Sequence, residues 1–153
     1  MILKIFKADT IKLKRSPVWL AFFIIPMLPA LLGTLNYLQN TEILLDKWYS
    51  MWTQHTLFMC YFFFPPLIGV YCAYLMRIEN NNHNWNKVLS LPVNIKYIFI
   101  SKLMIVSAMV IITHVWIGAL YVISGKIIGF TEPIPKEIIG WLSRGILGGI
   151  VIS

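Results

Sequence analysis

Polar and apolar positions along the chain separate into long blocks rather than alternating. Val18–Leu38 is a run of 21 residues without a charged side chain, and Thr56–Met76 is another of 21. Leu103–Ser124 continues for 22 residues without Lys, Arg, Asp or Glu. At about 1.5 Å per residue, each run makes a helix roughly 30 Å long, the thickness of a bilayer's hydrocarbon core. A fourth apolar run begins between Ile138 and Gly145 and reaches Ser153. Counted from Ile138 it has 16 residues and contains Arg144, fewer than the roughly 20 that a crossing needs. The pattern predicts an all-α polytopic membrane helical bundle. Its spans lie at 18–38, 56–76 and 103–124, with a partial fourth at 138–153. That fourth run lacks a closing charge or aromatic anchor, so the chain reads as a truncated product or a fragment of a longer protein. A cleaved signal peptide suits the first run poorly, because the run is too long and no small-x-small site follows it.

The segments between the runs carry the remaining pattern. At about 100° per residue, Ile2, Leu3, Ile5, Phe6 and Leu13 share one arc of a helix over 1–15. Lys4, Lys7, Lys14 and Arg15 share the opposite arc, while Asp9 and Ile11 break the pattern. Such a helix lies in the plane of an anionic leaflet, although the same residues also serve as a plain positive anchor. Ser16-Pro17 fits a cap followed by a first helical residue, so a new helix starts there. The loop 77–102 is longer than a connection requires. Within it Trp85, Val88 and Leu89 fall at i, i+3 and i+4, one face of a short helix that Pro92 ends. Pro92–Lys102 reads as a turn feeding the third span. A short helix bearing a bulky aromatic fits a groove on a partner protein, and Trp85 at the membrane interface fits equally.

Composition narrows the class. Of 153 residues 58% are hydrophobic and 12% charged, about half the charge of a soluble domain. Aromatics at 14% exclude a disordered chain. Mean hydropathy is +0.73. The net charge of +7 would suggest nucleic acid in a soluble protein, but here it reports orientation. Counting Lys and Arg, the amino terminus, first loop, second loop and third loop carry 5, 1, 4 and 2. Cytoplasmic loops hold the excess, which places the amino terminus and the 77–102 loop in the cytoplasm of a multi-pass cell-membrane protein. Tyr37, Trp48, Tyr49, Trp52, Phe130 and Trp141 then sit at headgroup depth on the outer side.

Several residues resemble a known pattern. Glu79 after a span, Leu89-Ser90-Leu91-Pro92-Val93, and Lys102 leading the next span resemble the ABC-2 type transporter permeases. A closer likeness, to the lantibiotic-immunity permeases of that superfamily, rests on several blocks. These are Lys14-Arg15-Ser16-Pro17-Val18-Trp19, Leu32-Gly33-Thr34-Leu35-Asn36-Tyr37-Leu38 and Trp48-Tyr49-Ser50-Met51-Trp52-Thr53-Gln54. Tyr61-Phe62-Phe63-Phe64-Pro65-Pro66-Leu67 and His83-Asn84-Trp85-Asn86 complete the set. The resemblance covers nearly the whole chain and implies a single ABC-2 transmembrane domain over 1–153. Family members normally carry six spans. It also implies that 1–15 is a connecting helix and that 77–102 is a coupling loop seated on a separate ATP-binding subunit. Glu79, His83, Asn84, Trp85, Leu89 and Pro92 are its coupling candidates. A second permease subunit, identical or homologous, is implied beside the bilayer itself. ATP and Mg are held by the partner, so no cofactor is expected in this chain. The implied cargo is a cationic lanthionine peptide returned to the medium for self-protection. An ABC-2 permease for another peptide or a lipid is one alternative, and an ATP-independent immunity or scaffold protein is another.

Individual residues add little chemistry. Gly118 to Gly125-Lys126 has the wrong spacing for a phosphate loop and lacks the following Ser/Thr. No nucleophile–base pair is visible, so enzyme activity is not expected, and nothing points to nucleic acid. Pro65 and Pro66, midway along the second span, kink it, either as a static bend or as a flex point for gating. His114 is an ionisable group near mid-membrane, either a site candidate or an imidazole bonded to another helix. His55, His83 and His114 fall at three depths and predict no metal site. Cys60 and Cys72 are 12 residues apart on one span, roughly 18 Å along its axis, too far for a disulfide. Arg144 is read as snorkelling to the outer interface, making Ile138–Arg144 interfacial.

Overall fold

The computed structural model describes residues 2–14, 16–81, 90 and 94–153. Its regular elements are helical: α1 (Ile2–Leu13), α2 (Val18–Gln39), α3 (Lys47–Phe58), α4 (Phe64–Asn80), α5 (Ile95–Ile128) and α6 (Ile138–Ile152). One π-helical turn, Met59–Phe63, joins α3 to α4. Among the described residues, three helices are long and apolar enough to cross a membrane: Val18–Gln39, the continuous Lys47–Asn80, and Ile95–Ile128. The protein is an all-α polytopic bundle.

Two helices run beyond their charge-free stretches. The second begins at Lys47, inside what the sequence reads as the first loop. Asp46 caps it, its carboxylate accepting from the Tyr49 backbone N–H. The third begins at Ile95, so Pro92–Lys102 is not a turn throughout. Asn94 caps this helix, its side-chain oxygen accepting from Lys96 N at 3.0 Å. Both helices have 34 residues, about 51 Å, and so project beyond a hydrocarbon core roughly 30 Å thick. Charged residues in these projecting turns conceal the helix from a count of uncharged residues.

α5 is the axis of the bundle and touches α1, α2, α3, α4 and α6. Its buried residues Ile98, Ser101, Ile105, Met109 and Thr113 recur at three- to four-residue steps, the stripe of a buried helical face. Leu67, Tyr71 and Leu75 of α4 pack on that stripe with Phe22 of α2. Tyr71 Oη and Thr113 Oγ1 lie 2.9 Å apart in this core, so each buried hydroxyl has a partner. Outward-facing Ile24, Leu28, Leu31, Ile111, Ile112 and Val115 are exposed and apolar, as acyl-chain surroundings require.

Pro65 and Pro66 open α4 directly after the π turn. Neither supplies a backbone donor, and each ring crowds the carbonyl four residues earlier. The wider turn at Met59–Phe63 takes up this misfit, with Phe64 N–H bonding to Met59 O five residues back. α6 is one helix from Ile138 to Ile152, so Ile138–Arg144 is not a segment apart from the residues that follow. It packs through glycine: a Cβ on Gly149 would lie 2.6 Å from Phe64 and 2.7 Å from Val110.

Candidate functional site

α1 lies along the start of α5, and its off-pattern residue explains the arrangement. Asp9 interrupts the apolar arc, yet it is buried rather than tolerated at the surface. Its Oδ2 accepts from Ser101 Oγ at 3.1 Å. Its Oδ1 lies 3.5 Å from Lys12 Nζ. Lys12 reaches past Asp9 to Glu79 Oε1 at 2.8 Å. Lys102 Nζ donates to the same oxygen at 3.1 Å. Two ammonium groups from α1 and α5 therefore converge on one carboxylate oxygen from the last turn of α4.

The electrostatics explain why these groups need one another. Glu79 is 2% exposed and Lys102 8%. Burying an unpaired charge costs several kcal/mol, about as much as many whole-domain stabilities can spare. An acidic group in a helix's last turn also faces the negative end of the helix dipole. Two cations against two carboxylates leave the cluster neutral. At Lys12, burial works against the charged form, but the hydrogen bonds and charges of Glu79 and Asp9 outweigh it and raise the pKa above the ordinary 10.5. Glu79 Oε2 has no hydrogen-bond partner among the described residues.

The cluster also brackets a loop. Glu79 stands just before Asn81, where α4 is capped, and Lys102 stands eight residues after the Asn94 cap of α5. The two ends of the connection are thus tied to each other and to α1. His83, Asn84, Trp85, Leu89 and Pro92 lie outside the described residues. Of the coupling candidates, Glu79 alone falls among the described ones. Lys12, Asp9 and Ser101 were not expected there. The signal for them was the misplaced acid on the apolar arc of α1.

The other polar candidates stand apart. His114 is buried in α5, and its Nδ1 lies 3.0 Å from Val110 O of its own preceding turn. Its ring meets Phe64 edge-on at 4.8 Å, and a Cβ on Gly145 would come within 2.6 Å of Nε2. Among the described residues the imidazole bonds within its own helix. His55 is not in a loop. It is buried in α3 with Nε2 2.9 Å from Thr34 Oγ1 of α2.

At the opposite end, Tyr37, Trp48 and Phe130 are buried against one another. Trp48 Nε1 donates to Glu132 O at 3.1 Å, and Tyr121 Oη donates to Trp48 O at 2.7 Å. Trp52 and Trp141 stack with centroids 5.3 Å apart. They border a cleft of about 520 Å³ between α3 and α6, with Arg144 and Cys60 in its wall.

The family model described as "ABC-2 family transporter protein" matches residues 5–153. No curated protein and no solved structure matches the chain.

Proposed function

The chain belongs to the ABC-2 family of transporter proteins, and from that premise we propose that it is the membrane subunit of an exporter that returns a cationic lanthionine peptide from the bilayer to the medium. The chain is a multi-pass membrane protein and a transport component, and its family implies an ABC ATP-binding partner. In this reading the partner seats on the 77–102 loop from the cytoplasm, where the amino terminus also lies. A second permease subunit completes the pathway. Similarity of the aromatic-rich sequence blocks supports the choice of cargo.

One observation carries the coupling role: Lys12, Glu79 and Lys102, from three helices, meet at one oxygen beside the two ends of the loop. A displacement of that loop acts on α4 through Asn80 and on α5 through Asn94. Lys12 passes the same displacement to α1. Closure of the ATP-binding subunits thereby moves three elements together.

Affinity capture of the full-length protein tests the reading. An ATP-binding subunit should co-purify, and Trp85→Ala should weaken its capture roughly 30-fold, the effect of losing an aromatic hot spot. Capture of no ATPase favours the ATP-independent scaffold. Deleting the gene should raise sensitivity to a lanthionine peptide. Unchanged sensitivity with an ATPase still bound moves the cargo to another peptide or a lipid.

A further inference from the structure

We propose that the cleft beneath α1 binds one anionic phospholipid, with an acyl chain inside and the headgroup phosphate held between Lys7 and Lys14. The cleft has a volume of about 430 Å³, within the range of small-molecule sites. Its walls are Phe6 and Ile11 of α1, Trp19 of α2, and Ile105, Met109 and Ile112 of α5. Trp19 is held in place by its Nε1 donating to Leu13 O at 2.9 Å, so its ring is a fixed wall.

Two features select the occupant. Ile105–Ile112 belongs to the first half of the charge-free part of α5, where the surrounding medium is hydrocarbon. An apolar slot at that depth opens onto acyl chains. The rim of the slot is cationic. Lys7 and Thr10 of α1, and Lys14 in the turn just past its end, also border the cleft and fall at i, i+3 and i+7, on one side. Both lysines are exposed, and none of the ion pairs among the described residues involves them. The acid of this helix, Asp9, is occupied with Ser101 and Lys12. Seven residues separate the lysines by about 10 Å along the axis, and their flexible stems can close on a phosphate from both sides. A zwitterionic lipid fills the same slot but brings its own cation to the lysines. The site is independent of the cargo and the coupling reading.

Quenching of tryptophan fluorescence tests the site directly. Full-length protein, delipidated in mild detergent, is titrated with phosphatidylglycerol or phosphatidylcholine carrying brominated acyl chains. The quench assigned to Trp19 is the part lost in Trp19→Phe. It should reach half-maximum at roughly 30-fold lower phosphatidylglycerol than phosphatidylcholine, as two lysines at an anionic headgroup imply. Lys7→Gln combined with Lys14→Gln should abolish the preference and keep the weaker binding, since both side chains are exposed and in no ion pair among the described residues. Ala108 of α5 also lines the cleft, and Ala108→Phe, which narrows it, should weaken both lipids. Equal half-maxima for the two lipids, or a preference that survives the double lysine variant, overturns the proposal. So does a Trp19 signal indifferent to Ala108→Phe, which marks ordinary solvating lipid.

Discussion

The two ends of the bundle are closed by different forces. At one end Asp9, Lys12, Glu79, Ser101 and Lys102 form a buried polar cluster joining α1, α4 and α5. At the other, Tyr37, Trp48, Met51, Tyr121 and Phe130 form an apolar cluster. There Trp48 meets Phe130 at 5.0 Å and Tyr121 at 5.3 Å between ring centroids, both edge-on. The polar cluster is stable only while it is complete, because each charge is the answer to another's desolvation. The aromatic cluster loses stability in proportion to the area and contacts removed. Under the proposed coupling role, an all-or-none joint suits the end on which the ATP-binding partner would push. A graded one suits an end that only needs to stay closed.

Glu79 offers the largest effect by which to break this contrast. Glu79→Ala leaves Lys102 buried without its counter-charge and should cost about 3–5 kcal/mol. Thermal unfolding in mild detergent would measure it. Replacing the whole set by Asp9→Asn, Lys12→Met, Glu79→Leu and Lys102→Met should recover most of that loss, since no buried charge then lacks an answer. Asparagine at position 9 keeps an acceptor for Ser101. A variant protein that stays as weak as Glu79→Ala would show that the charges do more than neutralise one another.

A smaller effect is expected at the aromatic end. Trp48→Phe removes the hydrogen bond to Glu132 O and part of a 2% exposed ring, for about 1–3 kcal/mol. The same unfolding measurement applies, and the cost should not change with salt. A larger penalty than Glu79→Ala would reverse the ranking of the two ends.

What the sequence alone could reveal follows from the same division. Span-forming stretches are legible because a bilayer leaves a uniform requirement, length without charge. The helix starts at Lys47 and Ile95 are not, because turns beyond the hydrocarbon tolerate Lys, Asp and Gln as readily as loops do. Trp48 and Phe130 have the composition of an interfacial belt, and nothing in their spacing tells belt from core. They are 82 residues apart in the chain, and only the return of α5 past α3 brings them together. At the polar end, Glu79 and Lys102 could be singled out by resemblance, and Asp9 by its wrong face. That Lys12 completes the set is a tertiary fact. It depends on α1 lying along α5, which no local periodicity encodes.

Two ion pairs of nearly equal length bring the contrast to a single interaction. Lys12 Nζ lies 2.8 Å from Glu79, and Lys47 Nζ lies 2.9 Å from Glu132. The carboxylate side chain is 3% exposed in the first pair and 51% in the second. Distance alone would rank them equal, but water and ions screen the second, and ordering two long side chains offsets what attraction remains. Lys47→Gln should therefore change stability by at most about 1 kcal/mol, and raising the salt concentration should erase the difference. The aromatic end carries this pair on its surface and does not depend on it. A salt-resistant loss larger than that bound would mean Lys47 anchors the 40–46 connection to the 129–137 connection, and the aromatic end would then be closed by charge as well as by rings.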